Sequence, residues 1–417
     1  MALFDKFSRL AAARRDLAGY GVNPFGVEVE RVLSATEGEI AGRRTILAGT
    51  NNYLGLSFDP ECIAAARAAL LAEGTGTTGS RMANGTFTGH LALERELAEF
   101  YRRRAAIVFS TGYLANLGIL SSLTAPGDVL LVDADCHASI YDGGRMSGAQ
   151  VIRFRHNQPE DLRKRLLRLG ERAADAVIVV EGLYSMLGDR APLAALAEVK
   201  RECGGYLVVD EAHSLGVAGE HGRGVAEEAG VEADVDFVIG TFSKSLGATG
   251  GFCVSDRPEL DVIRYASRPY IFTASPSPSV VASTRAALGI LRRRPELRRR
   301  LWDNAGRLYH GLEALGFRLG PEPSPVVAVL LETKAQALAF WAGLIERGVY
   351  VNLMIPPATP NGTSLVRCSV SAAHEPEQID ALCAAFAELR GIAATPGHRA
   401  CGADLAVASA KTSRGGG

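Results

Sequence analysis

Seven short β-branched runs between residues 105 and 254 narrow the folds open to this chain. They are Ala105–Ser110, Asp128–Val132, Val151–Phe154, Ala176–Glu181, Tyr206–Asp210, Asp236–Thr241 and Gly251–Val254. Amphipathic stretches such as Gln158–Leu169 and Leu193–Cys203 lie between some of them. A strand-then-helix rhythm predicts an α/β fold, a mostly parallel sheet with helices on both faces. The unbroken apolar run Ala176-Val-Ile-Val-Val180 suits a strand buried on both sides. In such sheets ligands bind beyond the carboxyl ends of the strands, so polar residues there carry the most weight.

With 417 residues, 47% of them hydrophobic, the chain can fill two cores. Residues 1–50 read as an amino-terminal arm and 51–284 as a large domain. The pattern changes at Ala282–Arg294, a helix rich in Ala, Leu and Arg. The alternating segments Val326–Leu331 and Leu365–Val370 and a last helix, Pro376–Leu389, predict a smaller α+β domain over 285–394. The Ala- and Gly-rich end, 395–417, can bury little and is expected to be disordered.

Lys and Arg number 45 against 46 Asp and Glu, so the basic excess of a nucleic-acid binder is missing. No apolar run approaches the roughly 18 residues of a transmembrane segment, and residues 1–15 lack the apolar core of a secretory signal. Seven scattered cysteines, none at metal-ligand spacing, read as reduced thiols of a cytoplasmic enzyme without a metal site. Arg292–Arg300 could meet an anionic carrier or a membrane, but a solvated helical face is the simpler reading.

Four strands end in polar residues: Ser110-Thr-Gly-Tyr113, Glu181-Gly-Leu-Tyr-Ser185, Asp210-Glu-Ala-His213 and Thr241-Phe-Ser-Lys244. A lysine at a sheet edge is usually solvated, and an aspartate there is often a helix cap. Together, Lys244 and Asp210 meet two demands of pyridoxal 5'-phosphate, an amine for the aldehyde and a carboxylate for the pyridine nitrogen. Ser110-Thr-Gly-Tyr113 precedes the helical run Leu114–Leu120, and a helix start offers free N–H groups to a phosphate. Thr241 and Ser243 add hydroxyls, and His137 follows another strand, where its ring could stack on the cofactor.

The chain resembles the α-oxoamine synthases over roughly residues 20–390. The marks are Asn51-Asn-Tyr-Leu-Gly55, Gly76-Thr-Thr-Gly-Ser-Arg81, His137-Ala-Ser139, Asp210-Glu-Ala-His-Ser214 and Thr241-Phe-Ser-Lys-Ser245. The resemblance implies an aminotransferase-like fold type I with a seven-stranded sheet. It implies that Lys244 forms the Schiff base, Asp210 pairs with the pyridine nitrogen, His213 bonds the phenolic oxygen and His137 stacks on the ring. Gly112, Tyr113, Thr241 and Ser243 would hold the phosphate, with Thr273 reaching in from the second subunit of a homodimer with shared sites. Ser185 would add a cofactor contact, Arg367 would bind the substrate carboxylate, and Asn52 would lie near the amino acid.

Ile140-Tyr-Asp142, Leu187, Arg268-Pro-Tyr-Ile-Phe-Thr-Ala-Ser275 and Pro356-Pro-Ala-Thr-Pro360 point within the family to L-serine and a long-chain acyl thioester. The expected reaction opens sphingolipid synthesis. Palmitoyl-CoA is the expected donor, and an acylated carrier protein stays open, as does peripheral contact with a membrane. Pro276-Ser-Pro278 departs from the family pattern. Sister enzymes joining glycine or alanine to shorter acyl-CoA are the nearest alternative. An aminotransferase and an inactive regulatory subunit are the others, and the presence of Lys244 argues against the last.

Overall fold

The computed structural model describes residues 3–19, 26–356, 359 and 362–393. The expected disordered tail, Cys401 and three residues of the Pro356–Pro360 loop (Pro357, Ala358 and Pro360) lie outside them.

Three short strands, β1 (Arg31–Val32), β2 (Glu37–Ile40) and β3 (Arg43–Leu47), precede the main sheet. The seven apolar runs all become strands: β4 (Ala105–Phe109), β5 (Val129–Asp133), β6 (Gln150–Phe154), β7 (Val177–Glu181), β8 (Tyr206–Asp210), β9 (Phe237–Thr241) and β10 (Gly251–Ser255). They form one sheet in the order β4-β10-β9-β8-β7-β5-β6. Every pairing is parallel except those of β10, which runs against both β4 and β9. All residues of β5, β7, β9 and β10 are buried, as helices on both faces require.

Register decides what meets at the sheet edge. Glu181 lies opposite Asp210, and Asp210 opposite Ile239, so β7, β8 and β9 end side by side. Gly251 lies opposite both Phe109 and Thr241. The start of β10 therefore sits between the ends of β4 and β9, and its lack of a side chain is needed there. A Cβ on Gly251 would lie 2.6 Å from the backbone of Gly112.

A second core gathers around β11 (Val326–Leu331), β12 (Val349–Tyr350), β13 (Asn352–Met354) and β14 (Ser364–Ser369). Three of these strands form an antiparallel sheet, β11-β14-β13. Phe317, Phe340 and Phe386 pack there with ring centroids 5.2–5.7 Å apart. β12 pairs instead with β3, completing the sheet β1-β2-β3-β12. The segment after β3 lies on the segment after β14, where Ser369 N donates to Ala48 O at 2.6 Å and Ala372 N to Tyr53 O at 2.7 Å. That crossing carries Asn51 to Arg367 on β14 and Asn52 to Ser371.

The arginine-rich stretch spans the junction of helices Pro278–Arg293 and Pro295–Ala314. Several of its side chains are engaged within the chain: Arg293 with Glu61, Arg294 with Asp59 and Glu296, Arg300 with Glu375.

Candidate active site

The ends of β4, β5, β7, β8 and β9 surround a cavity of about 280 Å³. Eight of the expected residues line it: Gly112, Tyr113, His137, Asp210, His213, Thr241, Ser243 and Lys244. Glu181, Asn116, Ser139 and Thr249 line it as well.

One end is built for an anion. Thr111 caps the helix Gly112–Leu123, its hydroxyl accepting from Leu114 N at 3.0 Å. The first N–H groups of that helix have no intrahelical acceptor and point along its dipole. A Cβ on Gly112 would come within 2.8 Å of Thr241 Cβ, so glycine lets the helix start approach β9. Thr241 Oγ1 lies 2.9 Å from Ser243 Oγ. The Tyr113 hydroxyl donates to Asp142, and its ring stands edge-on to His137 at 6.4 Å.

The opposite end is anionic. Asp210 is buried and accepts from Asn116 Nδ2 at 2.7 Å and Ala212 N at 2.9 Å. Both donors are neutral, so they fix the carboxylate without cancelling its charge. Asn116 stands four residues after Gly112, on the same helix face. Its Oδ1 is buried with no partner among the described residues.

Lys244 lies between these ends, half-buried against the protein and facing the cavity. Loss of solvent lowers its ammonium to about 8, although Asp210 and Glu181 pull the other way. Burial pushes the Glu181 carboxyl well above its ordinary range, and Asp210 adds to the shift. Glu181 accepts the His137 backbone N–H at 2.5 Å. Burial pushes His213 well down, helped by Lys244 and Arg367, so its ring is neutral. Its Nδ1 lies 2.7 Å from the Tyr53 hydroxyl, which burial holds in its protonated form. With Tyr53 donating, His213 Nε2 carries the hydrogen. Burial also lowers His137, whose Nδ1 accepts from Ser139 N at 3.2 Å.

Four expected residues lie outside the cavity wall. Arg367 is buried, giving Nη1 to Ser185 O at 2.8 Å and Nη2 to Asn51 Oδ1 at 3.1 Å. Its buried Nε has no partner among the described residues. Ser185 thus contributes a carbonyl to Arg367. Asn52 donates to Ser57 Oγ at 2.7 Å, and its buried Oδ1 has no partner among the described residues. Thr273 is half-buried on a loop whose next residue, Ala274, accepts the Ser110 hydroxyl.

Sequence reasoning missed Asn116 and Tyr53. The four-residue spacing from Gly112 would have found Asn116. Tyr53 stands 160 residues from His213, and no local pattern links them.

The donor set fits pyridoxal phosphate: an anion cup, an amine of lowered pKa, an uncancelled carboxylate and two neutral imidazoles around one cavity. Residues 44–386 match the family described as aminotransferase class I and II. The serine palmitoyltransferase of Caulobacter vibrioides is 59% identical over 389 residues, 93% of this chain and 96% of that one. That of Sphingomonas paucimobilis is 52% identical over 387 residues, 92% of each chain. A high-resolution structure described as SPT with PLP superposes with a TM-score of 0.92 at 50% identity, covering 94% of this chain and 99% of its own. On the family match and these near full-length relatives, the chain belongs to the class I and II aminotransferase family, on its serine palmitoyltransferase branch.

Proposed function

We propose that this chain is a pyridoxal-phosphate-dependent acyltransferase. It condenses L-serine with a long-chain acyl thioester, releasing coenzyme A and carbon dioxide and leaving 3-ketodihydrosphingosine. Palmitoyl-CoA is the expected donor, and a palmitoylated carrier protein is the second donor to assay. The observation that carries the reading is the convergence of Lys244, Asp210 and the helix start at Gly112 on one cavity.

Gly112, Tyr113, Thr241 and Ser243 would hold the cofactor phosphate, Asp210 the pyridine nitrogen and His213 Nε2 the phenolic oxygen. His137 would cover the ring, with Ser185 beside it, and Lys244 would anchor the aldehyde. When bound, the cofactor supplies an electron-accepting ring next to the α-carbon of the amino acid. Arg367 grips the serine carboxylate, and its unpartnered Nε supplies a donor beyond its two existing bonds. Lys244, its amine freed when that of serine takes its place and its ammonium lowered to about 8 by burial, takes the α-proton on Nζ. The α-carbon then bonds to the thioester carbonyl carbon as the thiolate leaves. After the carboxylate departs as carbon dioxide, a proton returns to the α-carbon from Lys244.

Thr273 would complete the phosphate site of a second copy, making the working form a homodimer. Among the described residues no helix is long and apolar enough to cross a membrane. Our reading places the enzyme in the cytoplasm, with any membrane contact peripheral. The test is spectral titration of cofactor-loaded protein with L-serine, glycine and L-alanine. L-Serine should saturate at the lowest concentration. No response to any of the three would sink the reading.

A further inference from the structure

A histidine outside the cavity lining ties the turn that leads to His137 to the hairpin that carries Ser185. His156 follows β6, in Arg155-His-Asn157. Its Nδ1 lies 2.8 Å from Asp133 Oδ1 and its Nε2 lies 2.7 Å from Asp189 Oδ2. Carboxylates only accept, so a ring held at both nitrogens by carboxylates carries two N–H groups and a positive charge. Burial opposes that charge, but the two carboxylates prevail and raise the imidazolium to about 10. Tyr184 closes over the ring edge-on at 4.5 Å.

Each carboxylate belongs to a functional loop. Asp133 ends β5 and holds the turn toward His137, with Oδ1 accepting Asp135 N at 2.9 Å and Oδ2 accepting Asn157 N at 2.8 Å. Asp189 belongs to a hairpin closed by the Leu183–Arg190 bridge and by Tyr184 N donating to Asp189 O at 2.9 Å. The same hairpin presents the Ser185 carbonyl to Arg367 Nη1 at 2.8 Å. At its closing end Arg190 Nη1 lies 2.9 Å from Glu322, and Asn157 Nδ2 joins His156 on Asp189 Oδ2 at 2.8 Å and reaches Arg190 O at 3.0 Å. The hairpin backbone cannot move without moving an acceptor of Arg367.

We propose that His156 is a positioning residue: its doubly hydrogen-bonded ring clamps the 183–190 hairpin to the end of β5 and thereby aims Arg367 at the substrate carboxylate. The proposal rests on the reading of Arg367 given above. Asp133 keeps its bonds from Asp135 N and Asn157 N without the ring, so the turn toward His137 should survive, and loss of His156 should act on the hairpin and, through Arg367, on the amino acid more than on the cofactor. Glutamine can keep one of the two bonds but not both, and Asp189→Asn removes the charge while keeping the shape.

The test compares wild type, His156→Gln and Asp189→Asn, each loaded with pyridoxal phosphate. Both variants should bind the cofactor within about twofold of wild type. Both should need at least tenfold more amino acid to reach half-saturation of the spectral change. The KM for palmitoyl-CoA should stay within about twofold. A uniform loss of cofactor, amino-acid and thioester binding, or unshifted amino-acid binding in both variants, would overturn the clamp. If wild type answers glycine better than L-serine, the same shift is expected with glycine, because the carboxylate is shared, and only the substrate reading fails. A wild type that answers no amino acid overturns both. An independent readout uses cofactor-free protein with ¹⁵N-labelled histidine. The resonances absent from His156→Gln should report two protonated nitrogens at pH 8, and a neutral ring there would overturn the proposal.

Discussion

In the proposed role Lys244 must be neutral to attack an aldehyde, yet it sits near two carboxylates that favour its charged form. Desolvation wins, and its ammonium falls to about 8 rather than rising. Capture of pyridoxal phosphate by cofactor-free protein should therefore accelerate with pH through a midpoint near 8. A midpoint above about 10, the ordinary lysine range, would contradict this account of the site. Lys244→Ala should leave no borohydride-reducible bond to the cofactor. Asp210→Asn should still bind it, since the anion cup is untouched, Ala212 N keeps an oxygen to donate to, and the Asn116 amide can turn its Oδ1 to accept from the new NH2. Its turnover should fall by about 10²-fold, the scale of losing one preorganised charge interaction. A near wild-type rate would make Asp210 structural. Asp210 and Lys244 were legible in the sequence because each closes an apolar run, and a parallel sheet lines up such ends. Tyr53 and Asn116 were not, because one depends on a long-range crossing and the other hides among small helical residues.

Whole elements were legible where burial is two-sided. β5, β7 and β9 read as continuous apolar runs because neither face meets water. The 183–190 hairpin was not legible, since it has no alternating pattern and is shaped by contacts from afar. Gly188 shows why: its φ is +77°, and a Cβ there would lie 2.1 Å from Val326 O. The clamp on this hairpin gives a pH signature. His156 is raised in the folded protein from its ordinary value of about 6.5 to about 10. As pH rises the unfolded chain releases this proton first, so the stabilisation is full below about pH 6.5 and is lost by about pH 10. Thermal denaturation of wild type should show this decline, and His156→Gln should flatten it. Parallel curves for the two proteins would show that the ring is not held as a cation.

At the scale of the molecule, the site depends on two cores meeting. Arg367 comes from β14 of the second core, and its partners Asn51 and Ser185 come from the segment after β3 and the hairpin after β7. The pattern change near residue 282 made a second unit the expectation, but the pairing of β3 with β12, some three hundred positions apart, left no trace in local sequence. Val262, Tyr265 and Phe272 are all more than 60% exposed on the segment leading to Thr273. Apolar side chains presented this way suit a protein interface. Sedimentation should give a dimer, and Tyr265→Asp with Phe272→Asp should yield a monomer at least tenfold less active. A fully active monomer would remove Thr273 from the phosphate site. Coenzyme A release at equal substrate concentrations, with product mass, tests the choice of substrates most directly. L-Serine with palmitoyl-CoA should give the highest specificity constant and the mass of 3-ketodihydrosphingosine. Glycine with acetyl-CoA, or L-alanine with pimeloyl-CoA, giving the highest value would contradict it.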